Sequence, residues 1–569
     1  MTNDIRHAGP LQVVIGGEAG QGLVTIGELL ARSLVRAGHH VLATQSYMSR
    51  IRGGHNTFSI RAGGAPAAAP REAIDLLVAL NDETIRLHRR ELTPLGLVVA
   101  DEKAAIEGVP VLKVPFERLA AKTSVNMAAF GIAGAVLGLE RTNLERAMAD
   151  FFGGKQVEAM VENCRAVANA YTWIDAQPVT FKKLAAPPPP PPQARIMING
   201  NEAIALGALN AGAKFCAFYP MTPATTVPLT LIEYAERMGM VVEQAEDEIA
   251  AINMAIGASF AGAPAMTATA GGGFALMVES VSLAGMTETP IVIVVAQRPV
   301  PATGLPTRTE QADLEFVLHA GHGEFPRAIL TPGSVEECFE LAGKAFGLAD
   351  RYQGPVFLLT DQFLADTYRD IIPFNLEPPP IAPLPSECPM LPYKRYALTE
   401  TGVSPRLIPG LSPQLVVADS DEHAEDGHIT EDLEVRRLMV EKRLRKMAGI
   451  KAEVSPPVFQ GDNNPDLLLV SWGSSQGAVG EAAAALRAGG TRTGALHFPQ
   501  VWPLIPSHFI DYLNSARAVV AVEGNAMGQF ARLIRRETGF HIQNLVLRYD
   551  GLPFTPEYIL RRLSHGTTA

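Results

Sequence analysis

The sequence predicts an α/β protein made of three successive α/β units. Two observations predict it. Short apolar runs of strand length alternate with longer stretches at helical spacing along the whole chain, the pattern of wound sheets covered by helices. The 569 residues are also too many for one core.

The first unit, residues 1–186, opens with "LQVVIGGEAGQGLVTIGELLARSLVRAGHHVLA", which reads as strand, glycine turn, helix and strand. Gly17, Gly20 and Gly22 are spaced GxxGxG rather than GxGxxG, and no acidic residue closes the second strand "VLATQ". A structural tight turn and an anion-binding backbone loop both remain open. Further on, "SYMSRIRGGHNTFSIRAGG" sets Arg50, Arg52, Gly53 and Gly54 in a loop before a strand, the pattern of a surface or subunit contact. The runs "AIDLLVALN", "GLVVAD" and "VPVLKVPF" continue the alternation.

A linker at 187–194 contains the polyproline run Pro187 to Pro192, which joins neither sheet nor helix and separates two folded units. The middle unit, 195–375, carries "KFCAFYP", "APAMTATA", "PIVIVVAQ" and "GPVFLLTD" as strands. A connector at 376–463 is first proline-rich and then sharply charged, which predicts an extended segment followed by a solvated helix. The last unit, 464–569, repeats the alternation with "PDLLLVSWG", "TRTGALHF" and "ARAVVAVEGN".

Composition excludes several functions. A formal charge of -11 without a basic stripe excludes general nucleic-acid binding, which needs concentrated Lys and Arg. Cys164, Cys216, Cys338 and Cys388 lie too far apart for the close pairs of zinc or iron-sulfur ligation. Sparse cysteine, and an N-terminal stretch without the basic-then-apolar order of a leader, predict a cytoplasmic protein. Ile249 to Val278 carries no charged side chain, but Pro264 and Gly271 to Gly273 interrupt it, so no membrane span is expected.

Candidate chemistry lies in the middle unit. In "FYPMTPATTV" a strand ends at Tyr219, and Thr222, Thr225 and Thr226 offer hydroxyls at the carboxyl edge, where open α/β sheets place ligands. Glu246, Asp247 and Glu248 then open a helix, where acidic residues ordinarily serve the macrodipole and the free N–H groups. The helix that follows, "EIAAINMAIGAS", lacks a polar face, which predicts that it is surrounded and that a carboxylate at its start is partly desolvated.

The ordered motifs "FYPMTPATT", "EDEIAAINMAIGAS", "TATAGGG", "PIVIVVAQRP" and "TGLPTRTEQADL" resemble the alpha subunit of the 2-oxoacid:ferredoxin oxidoreductases, most nearly the 2-oxoglutarate type. The unit with "GGEAGQGLVTIGELLA" and "RGGHNTFSIR" resembles their gamma subunit, so the chain is similar to a fused gamma-alpha subunit. The last unit resembles the family's second alpha-subunit domain, of transketolase C-terminal type. The implied fold is therefore a gamma-type domain, a thiamine-diphosphate-binding domain of pyrimidine type, and that third domain.

What the resemblance implies about function is specific. The family uses thiamine diphosphate, activated by a glutamate at its aminopyrimidine nitrogen. Thiamine enzymes commonly place that glutamate nine residues before a glycine, a relation Glu248 holds to Gly257, with Glu246 as the alternative. Tyr219, Pro220, Thr269, Gly271 and Gly272 would line the cofactor. Thr222 and Arg298 would meet the substrate's carboxylate and 2-oxo group, and Arg308 a second carboxylate, which favours 2-oxoglutarate over pyruvate or branched-chain oxoacids. The expected work of the last unit is packing, with Glu523, Asn525 and Gln529 as candidates for a subunit interface. No GDG motif followed by an asparagine occurs in a suitable place, so Mg2+, the diphosphate site and a [4Fe-4S] cluster are expected on a separate beta subunit. The implied partners are that subunit, ferredoxin, 2-oxoglutarate and coenzyme A, in a dimer of gamma-alpha/beta heterodimers. Two other readings are a component that passes its acyl group to lipoamide and a non-catalytic scaffold in which Glu248 is only a cap.

Overall fold

The computed structural model describes residues 9–48, 54–105, 108–121, 124–153, 157–179, 181–182, 184–189, 194–376 and 391–564. Arg50, Arg52, Gly53, Cys388 and part of the polyproline run lie outside these residues. The chain divides into two compact units. One holds residues 1–198 with 367–373 and 555–557, the other 199–366 with 374–554 and 558–569.

The first unit is an eight-stranded sheet in the order Val111–Val114, Leu92–Asp101, Ile74–Ala79, Leu11–Glu18, His55–Gly63, His40–Ser46, Tyr368–Ile371 and Ile196–Asn199. Leu11–Glu18 runs parallel to Ile74–Ala79 and antiparallel to His55–Gly63, with Val13 opposite Leu76 and Glu18 opposite His55. The helices Leu23–Arg36 and Val125–Leu137 share a buried core with the sheet through Leu29, Phe58, Ile60 and Phe130. Gly27 is required there, because a Cβ would stand 2.3 Å from the Phe58 ring. The "GGEAGQG" turn is held from within: Gln21 Oε1 accepts from Glu18 N at 2.7 Å, and Gly20 and Gly22 take the left-handed φ values of 94° and 72°. The short strand Tyr368–Ile371 is fastened to this sheet by Asp370, which accepts from Val41 N at 2.6 Å and pairs with buried Arg195.

The second unit holds two sheets. The larger runs Gln500–Trp502, Ala328–Leu330, Pro355–Asp361, Ile291–Gln297, Ala265–Thr269, Phe215–Phe218 and Val241–Gln244. Its interior strands are parallel and almost wholly apolar, as strands covered on both faces must be. The smaller runs Val458–Gly461, Thr493–Phe498, Leu467–Trp472, Ala518–Glu523 and Asn544–Leu547. The two sheets share one buried core in which Phe274, Phe357, Trp472, Phe498 and Phe530 meet. The strand Gln500–Trp502 also crosses over and pairs antiparallel with Ala328–Leu330.

This sharing corrects one expectation. Glu523 and Asn525 are buried inside this unit rather than facing a subunit interface, and Gln529 is half-buried against the middle segment. The Glu523 carboxylate is fully buried and accepts from Phe530 N at 2.8 Å, Ala531 N at 2.9 Å, Asn525 Nδ2 at 3.0 Å and Trp472 Nε1 at 3.3 Å. Gln529 Nε2 donates to Ala312 O at 2.8 Å, joining this last segment to the middle one.

The charged helix, Leu433–Ala452, corrects a second. One face is solvated, with Glu434, Arg436, Arg437, Glu441 and Arg445 exposed, but the other buries Met439, Lys442, Arg443, Lys446 and Ile450. Lys442 Nζ reaches Glu288 at 2.6 Å, and both side chains are 0% exposed; Lys446 pairs with the same carboxylate. Burial alone would raise the Glu288 carboxyl, but Lys446, Lys442 and Arg395 outweigh it and hold it at about 2. Charge count in a sequence cannot separate solvated lysines from lysines drawn inward by one buried acid.

Among the described residues no helix is long and apolar enough to cross a membrane. Replacing Glu288 by Gln leaves two buried ammonium groups without their counter-charge, and should destabilise the second unit by about 3–5 kcal/mol in denaturant unfolding. The stabilisation Glu288 gives is present above the ordinary carboxylate range and should fade only as pH falls toward about 2, because its folded value is depressed.

Candidate functional site

Each member of the acidic triplet does something different. Asp247 is the N-cap of the helix Glu248–Phe260 and accepts from Ala250 N at 2.7 Å. Glu246 is exposed. Glu248, the first helical residue, is only 3% exposed, and its Oε1 is buried without a hydrogen-bond partner. Of the two candidates, Glu248 is therefore the one that points inward. The helix itself is not surrounded as expected. Ile249 and Met254 are 48% and 44% exposed, and Asn253 and Gly257 share that open face, so its apolar character is not used up within this chain. A Cβ on Gly257 would meet nothing within 4 Å.

The carboxyl of Glu248 lies against a turn built of glycine. The strand Ala265–Thr269 ends and the helix Gly271–Met286 begins with three glycines and no side-chain cap. A Cβ on Gly273 would stand 2.4 Å from Glu248 Oε1 and 2.3 Å from Thr269 Oγ1, and one on Gly271 would stand 2.3 Å from Asp313 Oδ2. Gly272 is exposed and has only Ala302 O nearby, at 3.7 Å. The triplet thus lets two carboxyl groups and a hydroxyl crowd one turn while its middle residue stays open.

The "YPMTP" loop follows the strand Phe215–Phe218, with Tyr219 and Pro220 exposed and Thr222 half-buried. Two long-range bonds fix it: Arg298 Nη1 donates to Thr222 O at 2.7 Å, and Asn201 Nδ2 to Pro223 O at 2.8 Å. Arg298 ends the apolar strand Ile291–Gln297, is 4% exposed, and keeps a buried Nε without a partner. Burial lowers its pKa, against an opposing pull from Asp313. The structure therefore brings Thr222 and Arg298 together, and gathers Glu248, Thr269 and the glycines about one turn. Arg308 is half-buried, packed beside Gly551 of the last segment.

Asp313 was not singled out by the sequence, although it stands in the quoted "TGLPTRTEQADL". Acids in polar loops are ordinarily solvated, and nothing in the local pattern marks this one. Yet Asp313 is 5% exposed, with Oδ2 unpartnered. Burial pushes its carboxyl up to about 6 against the pull of Arg298, and burial likewise pushes nearby Glu310 up to about 7. A buried carboxyl oxygen with no partner can accept a hydrogen bond from a ligand or hand it a proton, which is the chemistry this edge offers. Among the described residues no three His, Cys, Asp or Glu side chains gather into a metal-binding group.

Residues 206–442 match the family model described as pyruvate flavodoxin/ferredoxin oxidoreductase, thiamine diP-bdg, and residues 12–173 match pyruvate ferredoxin/flavodoxin oxidoreductase. The chain is 32% identical to a 2-oxoacid:ferredoxin oxidoreductase subunit alpha of Sulfolobus sp, covering 96% of this chain and 95% of that one. It is 31% identical to the 2-oxoglutarate oxidoreductase subunit KorA of Mycobacterium tuberculosis, covering 96% and 90%. The solved 2-oxoglutarate:ferredoxin oxidoreductase from Magnetococcus marinus, with 2-oxoglutarate, coenzyme A and succinyl-CoA bound, superposes with a TM-score of 0.91 at 31% identity, covering 98% and 99%.

The turn is directly testable. Gly273→Ala should displace Glu248 or Thr269 and cost about 1–3 kcal/mol in thermal or denaturant unfolding, as overpacking does. Gly272→Ala, at the open position, should leave stability within about 0.5 kcal/mol of the parent.

Proposed function

The chain belongs to the 2-oxoacid:ferredoxin oxidoreductase alpha subunits, and we propose that it acts on 2-oxoglutarate with coenzyme A, giving succinyl-CoA and CO2 or running the reverse. The observation that carries this reading is the buried, unpartnered Oε1 of Glu248 against the Gly271–Gly273 turn. These residues fit thiamine diphosphate: an acid is held dry where a ring nitrogen needs a proton or a hydrogen bond, beside an open glycine that lets a flat ring approach closely. When bound, that cofactor supplies the carbon nucleophile that adds to the 2-oxo group.

The chain's own groups have distinct tasks. Glu248 holds a proton or a hydrogen bond at Oε1, and its burial makes that interaction strong. Thr269, Gly271 and Gly272 would line the cofactor when it is bound, together with Tyr219 and Pro220. Arg298 steadies Thr222 through the loop backbone, and its remaining donors face the substrate's carboxylate. Arg308 takes a second carboxylate, which favours 2-oxoglutarate over pyruvate and branched-chain oxoacids.

A beta subunit completes the site. It supplies Mg2+, the diphosphate contacts and the [4Fe-4S] cluster that passes electrons to ferredoxin. The exposed Ile249, Met254 and Leu276, at 48%, 44% and 50% on the helices that carry Glu248 and the glycines, support a covering partner at this edge. The assembly is a dimer of gamma-alpha/beta heterodimers.

The co-purified complex should reduce a low-potential viologen dye in a coenzyme A-dependent reaction with 2-oxoglutarate, and this chain alone should not. Activity with lipoamide and none with viologen or ferredoxin would overturn the reading. Glu248→Gln should lower turnover by about 10²–10⁴-fold with assembly intact, whereas Glu246→Gln should stay near the parent rate. Unchanged turnover in Glu248→Gln would support a scaffold role.

A further inference from the structure

The loop after the strand Phe215–Phe218 contains a four-residue turn, Met221 to Ala224, closed by Ala224 N donating to Met221 O at 2.9 Å. Its two central residues are Thr222 and Pro223, and the carbonyl of each is taken by a side chain from far along the sequence. Arg298 Nη1 donates to Thr222 O at 2.7 Å, and Asn201 Nδ2 donates to Pro223 O at 2.8 Å. Both anchors grip the main chain, so neither uses the Thr222 hydroxyl.

Asn201 is held as firmly as the turn it holds. It is the second residue of the helix Gly200–Asn210, whose first turn is closed by a reciprocal cap. Asn199 Oδ1 accepts from Glu202 N at 2.8 Å, and Glu202 Oε2 accepts from Asn199 N at 3.0 Å. Gly200 lies so close to Leu364 that a Cβ there would stand 2.3 Å from the Leu364 carbonyl oxygen. Asn201 is 0% exposed, and its Oδ1 is buried without a hydrogen-bond partner. A buried amide with part of its bonding unmet is costlier than a leucine of similar size. The bond to Pro223 O is therefore what an asparagine contributes at this position.

A fully buried Asn201 can act on a ligand only through the turn. We propose that Asn201 is a positioning residue for the 2-oxoacid: through Pro223 O it fixes where the Thr222 hydroxyl stands, and so sets oxoacid affinity without taking part in activating thiamine diphosphate. This rests on the reading that Thr222 meets the substrate. Contacts to a carboxylate are made alike before and during the reaction, so misplacing them raises KM more than it lowers kcat. The Arg298 anchor remains when Asn201 is lost, so the turn shifts rather than melts, an effect of roughly tenfold where a full misplacement of about 1 Å costs about 10²-fold.

The test uses the whole complex with 2-oxoglutarate and coenzyme A. Asn201→Leu should raise the KM for 2-oxoglutarate roughly tenfold, with kcat within about twofold of the parent and the thiazolium C2 proton exchanging at the parent rate. Thr222→Val should raise KM as well. Adding Asn201→Leu to it should raise KM no further, because a residue without its hydroxyl has nothing left to misplace. If the leucine variant does not assemble, Asn201→Ala, which only removes atoms, carries the same expectation. Full additivity of the two substitutions would overturn the inference, as would a fall in kcat or in C2 exchange with KM unchanged, or loss of assembly in both Asn201 variants. A raised KM in Thr222→Val beside an unchanged one in Asn201→Leu overturns the inference alone. An unchanged KM in Thr222→Val sinks the reading of Thr222, and the inference with it.

Discussion

The close approach of Glu248, Thr269 and Asp313 to the three-glycine turn is the constraint on which the functional edge depends. Any side chain at Gly271 or Gly273 would occupy the space those oxygens now fill. Positions 271 and 273 must therefore be glycine, at a cost in helix propensity of about 1 kcal/mol per residue. In return, two carboxyl groups reach a dry position that an ordinary helix start would deny them. A carboxyl kept from water and from a protein partner is expensive unless a ligand completes it, and that unfilled bond is what turns a packing detail into a site.

The surroundings are built to resist the repulsion and desolvation stored there. The parallel strands ending at Thr269 and Gln297 are buried along their whole length, and the last segment adds its own aromatics to the same core. Gln311 belongs to this bracing: its amide donates to Trp472 O at 2.9 Å and accepts from Gly524 N at 2.8 Å, two residues before Asp313 in the loop. The Glu288, Lys442 and Lys446 cluster pins the charged helix to the same unit. Buried ion pairs of this sort add little net stability over an apolar core, but removing one member is costly, so they fix an arrangement more than they strengthen it.

Much of this was legible in the sequence, and what was missed has physical reasons. Alternating apolar runs and the glycine turns gave the wound sheets, because strand and helix periodicity survive any tertiary context. The Glu248 to Gly257 step singled out the carboxylate that the structure buries, while Glu246 is exposed, and "TATAGGG" marked the turn. Asp313 escaped because its burial comes from residues distant in sequence, Gln297 and Arg298 on one side and Gly271 on the other. Lys442 and Lys446 escaped for the same reason: their partner, Glu288, lies more than 150 residues away. The expectation that the Glu248 helix is surrounded failed within this chain because an apolar face predicts burial without saying which chain provides the cover.

The most direct test of the central claim is the exchange of the thiazolium C2 proton of thiamine diphosphate, followed by NMR in deuterated buffer with the assembled complex and no substrate. It reads the action of Glu248 without involving the oxoacid, coenzyme A or electron transfer. Exchange should be strongly accelerated over free cofactor in the parent complex, and returned by about 10²–10⁴-fold toward the free rate in Glu248→Gln. Equal acceleration in both would contradict it, because the buried carboxyl would then be only the start of a helix.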